Sequence, residues 1–231
     1  MKLTDQLVNS RGGGQQRRRR RSTKPGPSAQ PDHSRDRVFA AAAAAFAAHG
    51  FAGTSVDRIA DAARLNKAMI YYHFRNKAEL YRDILRDMFG AVGARARAVA
   101  ASDLAPAAKV RAFIDTFATE AEARPHFPPI WFREIAEGGA HLDEVTLGEM
   151  TGVLRALTAI IDEGVRAGAF RPINPLLLHA GIVGPVLLFF ASAGIRRRID
   201  RSGAKGMAGL TRDEVVAHVQ RVTLGLLTGT V

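Results

Sequence analysis

The chain has 231 residues, of which 47% are apolar, so a sizeable core is possible and general disorder is excluded. It contains no cysteine, which excludes disulfide scaffolds, zinc–cysteine sites, iron–sulfur clusters and thiol nucleophiles. Lys and Arg outnumber Asp and Glu by 33 to 22, and 27 of these bases are arginine, which predicts a polyanionic partner, either nucleic acid or a membrane surface.

Residues 1–34 are predicted to form a disordered basic arm. They carry eight bases and two acids, with arginine at every position from 17 to 21, and almost no apolar side chains. Such a segment cannot bury enough surface to offset its ordering entropy, and it has no apolar stretch long enough for a secretory signal. Two interpretations stay open: an arm that contacts phosphates or the minor groove, or a passive solvated tail.

The rest of the chain predicts an all-α fold of about nine helices, because capping signals recur and strand alternation is absent. Capping boxes are predicted to begin at Thr54, Asn76 and Thr211. The predicted helices run from Arg35 to His49, Thr54 to Ala63, the N-cap Asn66 onward, Asn76 to Val92, Pro106 to Phe117, Phe127 to Ala136, Glu144 to Ala167, Asn174 to Arg197 and Thr211 to Leu226.

The segment 54–77 predicts a helix-turn-helix unit. Two short helices flank the turn Arg64–Leu65, and on the second helix Ile70 and Phe74 are four residues apart and face inward. The outward face is basic and aromatic, with Lys67, Ala68 and Tyr71. A unit of this size fits the DNA major groove, which admits one α-helix.

From Arg35 to Tyr81 the chain resembles the TetR (tetracycline-repressor-like) family of transcription regulators. The match is carried by Phe46, Gly50, Phe51, Thr54, Ile59, Ala60, Ala63, Leu65, Lys67, Ile70 to Phe74, Asn76, Lys77, Glu79 and Leu80. Arg64 departs from the pattern, since the family usually has glycine there. If this residue is left-handed, arginine costs about 1 kcal/mol relative to glycine. The resemblance implies a three-helix DNA-binding head at 35–81, followed by a helical body at 82–231 that binds a small molecule and dimerises.

The resemblance also implies which side chains contact DNA. Base-edge or groove contacts are implied for Lys67, Ala68, Met69, Tyr71 and His73. Phosphate contacts are implied for Ser55, Tyr72 and Lys77, and Arg64 at the turn is a further candidate. For Lys77 there is an independent reason, because it begins a helix whose free N–H groups favour a phosphate.

An aromatic cluster in the body has two open interpretations: it belongs to the core, or it forms the wall of a ligand pocket for a largely apolar effector. Its members are Phe113, Phe117, Phe127, Trp131 and Phe132.

No cofactor, metal site or catalytic site is predicted. Glu137 and His141 are four residues apart, but Gly138 and Gly139 interrupt the helix between them, and the neighbouring His126 and Glu134 do not give metal-ligand spacing. The glycine-rich segment 203–209 lacks phosphate-loop spacing and is predicted to be a flexible connection. No nucleophile elbow or Ser–His–Asp arrangement is present, so the chain is not predicted to be an enzyme.

The sequence therefore predicts a cytoplasmic homodimer, acting as a repressor, that binds a near-palindromic operator in double-stranded DNA and responds to an unknown small-molecule effector. The predicted dimer face combines the helix Asn174–Arg197 with the last helix in a four-helix bundle. Two alternatives stay open. A nucleoid-type protein would bind DNA without an effector, and a membrane-associated protein would use the uncharged segment 172–195 as an anchor.

Overall fold

The computed structural model describes residues 31–203, 206 and 209–230. These residues form ten α-helices and no strand, which confirms the all-α prediction. The helices are α1 (Pro31–His49), α2 (Val56–Ala63), α3 (Lys67–His73), α4 (Lys77–Ala100), α5 (Pro106–Ala123), α6 (Phe127–Ala136), α7 (Glu144–Arg166), α8 (Pro175–Ala191), α9 (Ala193–Arg201) and α10 (Arg212–Thr228).

The predicted arm lies mostly outside the described residues, as does part of the predicted loop 203–209. The prediction for residues 31–34 is wrong, because they form the first turn of α1, which begins four residues earlier than expected. Ser34 is buried in this turn and its hydroxyl lies 2.6 Å from Nε2 of His73. The first turn of α1 therefore packs against the end of α3.

Helices α1 to α3 and the start of α4 form a small bundle, which we call the head. The capping box predicted at Thr54 is wrong by one residue: Ser55 is the N-cap of α2, and its side chain accepts a hydrogen bond from the Arg58 N–H at 3.1 Å. The buried Thr54 hydroxyl instead donates to the carbonyls of Ala45 and Gly50. The loop between α1 and α2 is thereby tied to the end of α1.

Helix α4 runs without a break from the head into the remaining helices, which we call the body. Its N-cap is Asn76, whose side chain accepts from the Glu79 N–H at 2.8 Å. In the body α4 packs on α5 and α7, which are joined by the ion pair between the buried Lys109 and Glu163 at 2.7 Å. The head and the body therefore share one continuous helix.

The helix predicted from Asn174 to Arg197 is two helices, α8 and α9, which meet at an angle of 56°. At the break the Ser192 hydroxyl donates to the Leu188 carbonyl at 2.6 Å, and the Arg196 guanidinium donates to the Phe189 carbonyl. These bonds satisfy the carbonyls at the end of α8. In the described part of the chain no single helix is long and apolar enough to cross a membrane. Only α8 and α9 taken together, as a bent pair, have the length and composition for it.

The last helix, α10, packs against α8 and α5. Its capping box at Thr211 and Glu214 is present as predicted. Large apolar side chains on α8 and α10 remain exposed, among them Leu177, Leu188, Val222 and Leu226. Leu187 is fully buried and faces the interior of the body.

Candidate functional site

Helix α3 is short, and its position depends on a cap and on two buried side chains. The Asn66 side chain accepts a hydrogen bond from the Met69 N–H at 2.9 Å. Ile70 and Phe74 are buried as predicted, and the half-buried Leu65 packs against the same core. The opposite face of α3 is thereby presented to solvent.

The outward face of α3 carries most of the predicted base-contacting residues. Tyr71 is 54% exposed and Tyr72 is 72% exposed, and Lys67 and Ala68 are also exposed. Met69 and His73 are half-buried. The His73 ring is hydrogen-bonded to Ser34, so its contact with α1 competes with any contact to DNA.

The basic end of this face is held by an ion pair. The Lys67 ammonium lies 2.5 Å from the Asp57 carboxylate on α2, and the hydrogen bond to this carboxylate raises the pKa of Lys67. Both side chains are more than half exposed. Lys67 therefore keeps its positive charge at the surface where DNA contacts are predicted.

Arg64 has the left-handed conformation that the turn requires, with φ 53° and ψ 45°. Its N–H donates to the Asp61 carbonyl at 3.0 Å, which ends α2. The Arg37 guanidinium donates to the carbonyls of Ala63 and Arg64 at 2.5 and 3.2 Å. The turn therefore has a positive side chain at the C-terminal end of α2, where the helix dipole favours one.

Lys77 has an intramolecular role that the sequence did not indicate. Its ammonium donates to the carbonyls of Phe51 and Thr54, both at 3.0 Å, and lies 4.2 Å from the centre of the Phe51 ring. Two of its three hydrogens are thus used within the protein. The predicted phosphate contacts of Lys77 and Ser55 stay predictions.

The body contains an apolar cavity of about 380 Å³ between α4, α5, α6, α7 and α8. Three residues of the predicted aromatic cluster line it: Phe117, Phe127 and Trp131. Phe113 is buried beside Phe117, and Phe132 is half-buried, and neither lines the cavity. The other lining residues are Phe89, Val92, Leu147, Met150, Thr151, Val153, Leu154, Leu176, His179, Val183 and Leu187.

The polar side chains among these lining residues are Thr151 and His179. The His179 ring packs edge-on against Phe117 with 5.9 Å between the ring centres. Burial lowers the pKa of His179 below its ordinary value, so the imidazole is neutral at pH 7. The wall thus offers a ligand two uncharged hydrogen-bonding groups in an apolar surface.

Helix α6 connects this cavity to the head. Phe127 and Trp131 line the cavity, and two residues after Trp131 the Arg133 guanidinium donates to the carbonyl of Ala48 at the end of α1. The next residue, Glu134, is fully buried and accepts a hydrogen bond from the Tyr81 hydroxyl on α4 at 2.8 Å. One helix therefore contacts the cavity, α1 and α4.

The chain after α6 folds back onto Glu134. Gly138 and Gly139 have φ of 69° and 74°, which glycine adopts readily, and they reverse the chain. Nδ1 of His141 consequently lies 2.9 Å from Oε1 of Glu134 and 3.8 Å from Oε2 of Glu137. The glycines interrupt the helix as predicted, but this interruption brings the three side chains together.

Comparisons with known proteins identify the family. The family model for bacterial regulatory proteins of the tetR family matches residues 38–84. The HTH-type transcriptional repressor NicS of Pseudomonas putida is 30% identical over 167 residues, which cover 70% of this chain and 76% of NicS. This chain belongs to the TetR family.

Other relatives agree with this assignment. The HTH-type transcriptional regulator RutR of Escherichia coli is 27% identical, over 81% of this chain and 87% of RutR. The repressor SCO4008 of Streptomyces coelicolor is 49% identical over 55 residues, 24% of this chain and 29% of that protein. The chain is thus a TetR-family DNA-binding regulator, as the sequence predicted.

Solved structures show the same fold. The TetR-family regulator PfmR of Thermus thermophilus is 24% identical with a TM-score of 0.60, over 83% of this chain and 97% of PfmR. FadR of Bacillus subtilis, solved in complex with stearoyl-CoA, is 18% identical with a TM-score of 0.63, over 84% of this chain and 98% of FadR.

Proposed function

We propose that this TetR-family protein is a homodimeric repressor that binds a near-palindromic operator through α3 and leaves it when a small, apolar effector enters the cavity. The observation that carries the DNA-binding part is the outward face of α3. Its exposed Lys67, Ala68 and Tyr71 stand on a helix fixed from behind by Ile70 and Phe74. A rigid helix with such a face has the form that enters the major groove.

The unit that docks on DNA is proposed to be the head at 35–81, with the effector and dimer functions in the body at 82–231. Phosphate contacts from Ser55, Arg64 and Tyr72 would flank the base contacts of α3 and set its orientation on the duplex. All three side chains are exposed in the structure. If the Arg64 guanidinium pairs with a phosphate, this interaction offsets the free-energy cost of the left-handed Arg64 backbone.

Dimerisation is supported by the exposed apolar face of α8 and α10. Leu177 is 71% exposed and Leu188 is 56% exposed, and Leu226 on α10 adjoins the same surface. A contiguous apolar face of this kind marks an interaction surface. A two-fold pairing through it would form a four-helix bundle and carry two α3 helices, matching the symmetry of a palindromic operator.

The effector is proposed to be an uncharged, largely apolar molecule with one polar group. A cavity of about 380 Å³ falls near the lower end of the ligand-pocket range. No charged side chain lines it in the described part of the chain, so a buried ionic group on the ligand would lack a partner. A single hydroxyl or carbonyl would pair with His179. The Thr151 hydroxyl donates to the Leu147 carbonyl at 2.7 Å, so it would accept from a ligand hydroxyl.

The DNA-binding part is tested with Tyr71→Ala on an operator selected from random duplexes. Tyr71 is exposed, so the fold should survive, while operator affinity should fall by about 1–3 kcal/mol per half-site. Affinity for random DNA should change little. Equal losses on both DNAs would show that Tyr71 does not discriminate base pairs, and a selection that yields no preferred sequence would favour the nucleoid-type alternative.

The cavity is tested with the uncharged fluorescent probe N-phenyl-1-naphthylamine. The wild-type protein should bind the probe and enhance its emission, whereas Val183→Phe, which places a ring in the cavity, should bind it weakly. Val145→Phe is the matched control, because Val145 is exposed and lies outside the cavity. Equal probe binding by all three proteins would place the probe elsewhere and contradict the proposed effector site.

A further inference from the structure

We propose that Glu134, Glu137 and His141 form a binding site for a divalent first-row transition metal, of which Zn²⁺ is the test case, at the junction between the head and the body. One ligand atom from each side chain lies within 4.8 Å of the other two. This site is separate from the DNA-binding face of α3 and from the effector cavity.

The first argument is the burial of the Glu134 carboxyl group without a Lys or Arg partner. Its carboxylate is fully buried, and in the described part of the chain its hydrogen-bond partners are Tyr81 and His141, with no Lys or Arg side chain. A second carboxylate, that of Glu137, lies 3.8 Å from the same imidazole nitrogen. Buried carboxylates are normally paired with a cation or coordinate a metal, so the pair of glutamates favours a divalent ion here.

The second argument is the spacing of the ligand atoms. Two ligand atoms bound tetrahedrally to Zn²⁺ at about 2.0–2.1 Å lie about 3.4 Å apart. The distances of 2.9 and 3.8 Å from Nδ1 of His141 to the two carboxylates lie on either side of this value. The third separation, between the two carboxylates, is no more than 4.8 Å, so all three ligand atoms lie close to the spacing that one ion requires.

The third argument is the outer shell. The Tyr81 hydroxyl donates to Oε1 of Glu134 and the backbone N–H of His141 donates to Oε2, so both oxygens are already oriented. The centre of the Phe51 ring lies 4.2 Å from that of the His141 ring, so the imidazole packs against this ring. Outer contacts of this kind hold the ligands of metal sites in position.

The three side chains also indicate which class of metal would bind and how the ion would reach the site from solvent. One imidazole and two carboxylates suit the borderline divalent ions rather than Cu⁺, which prefers sulfur ligands. Glu137 is 42% exposed, so the ion has a path from solvent and a position for water as the fourth ligand. The site would link the loop after α6 to Tyr81 on α4 and to Phe51 in the head.

The experiment is calorimetric titration of the full chain with Zn²⁺, without DNA or effector, so its result is independent of the proposed regulatory function. The expected result is one Zn²⁺ per chain in the wild type. Glu137→Gln and His141→Gln should each weaken binding at least about tenfold, since removing even an outer-shell partner of a metal ligand usually costs that much. The Glu137 side chain is 42% exposed, so its substitution should leave the metal-free melting temperature unchanged.

His49→Gln is the matched control, because His49 is an exposed histidine outside the cluster. It should bind Zn²⁺ as the wild type does. Zn²⁺ at a concentration that saturates the wild type should raise the melting temperature of the wild type and of His49→Gln more than that of Glu137→Gln. The proposal is overturned if the wild type binds no Zn²⁺, if Glu137→Gln binds it with unchanged affinity, or if His49→Gln weakens binding as much as His141→Gln does.

Discussion

Replacing Tyr81 with phenylalanine should destabilise the protein, because it removes a hydrogen bond to a buried carboxylate oxygen. The Tyr81 hydroxyl donates to Oε1 of Glu134 at 2.8 Å, and both side chains are almost completely buried. The ring contacts with Phe46 and Phe51 are retained in the variant. A hydrogen bond to a charged group contributes about 1.5–3 kcal/mol, and this is the expected loss in the free energy of unfolding.

Urea denaturation followed by circular dichroism, at one fixed protein concentration, measures this loss. For a chain of this length each kcal/mol lowers the melting temperature by about 2–4 °C, so a decrease of about 3–12 °C should accompany it. Tyr72→Phe is the matched control: Tyr72 is 72% exposed, and its variant should stay within about 0.5 kcal/mol of the wild type. If Tyr81→Phe costs no more than Tyr72→Phe, the hydrogen bond to Glu134 does not stabilise the fold.

The same pair has a signature at high pH. Burial and the hydrogen bond to Glu134 raise the pKa of Tyr81 far above its ordinary value of about 10. Above about pH 10 the unfolded chain loses the phenolic proton while the folded protein keeps it. The free energy of unfolding of the wild type therefore decreases as the pH rises. The stability difference between the wild type and Tyr81→Phe should therefore shrink above about pH 10. A constant difference would contradict this reasoning.

Three further predictions concern the dimer face, the arm and the cavity. Leu226 is 43% exposed, so Leu226→Glu should give folded monomers in light scattering, and a Leu226→Glu dimer would refute the proposed interface. Leu187→Glu should instead unfold the body, because Leu187 is fully buried. Deleting residues 1–30 should leave the melting temperature unchanged, since α1 is kept whole. Each phosphate contact contributes about 0.9 to the slope of log K for DNA binding against log salt. If half of the eight bases in that segment contact phosphates, the deletion should flatten this slope by several units per dimer. Identical slopes would indicate a passive tail. Burial lowers the pKa of His179, so the unfolded chain takes up a proton below about pH 6.5 before the folded protein does. Wild-type stability should therefore fall between pH 7 and pH 5 more than that of His179→Phe, as urea denaturation at both pH values will show; equal falls would exclude His179 as the cause.

The head could be predicted from the sequence because its determinants are local. The spacing of Ile70 and Phe74 places the two residues on one face of a short helix, and Asn66 is a strong N-cap. The sequence left the backbone of Arg64 open, because only the family resemblance pointed to a glycine position there, and the structure shows that it is left-handed. The cap of α2 was misplaced because Thr54 and Ser55 are adjacent hydroxyl residues, and only the fold shows which of them bonds to α2.

The body was harder to predict because its functional surfaces combine distant segments. The cavity wall takes Met150 and Val183 from α7 and α8, and neither belongs to the aromatic cluster that marked the region in the sequence. The break at Ser192 was missed because the apolar run continues through it without proline or a charge. The return of His141 onto Glu134 depends on two left-handed glycines, whose angles the sequence does not specify.

The continuity of α4 limits how this regulator can be recombined with others. A chimera that joins this body to a foreign head has to be spliced inside a helix rather than in a flexible linker. Each residue inserted or lost at the junction would rotate the head by about 100° and shift it by about 1.5 Å. The splice therefore has to preserve the helical register. The incoming segment also has to supply a tyrosine at position 81, or the buried Glu134 loses the hydrogen bond from the Tyr81 hydroxyl.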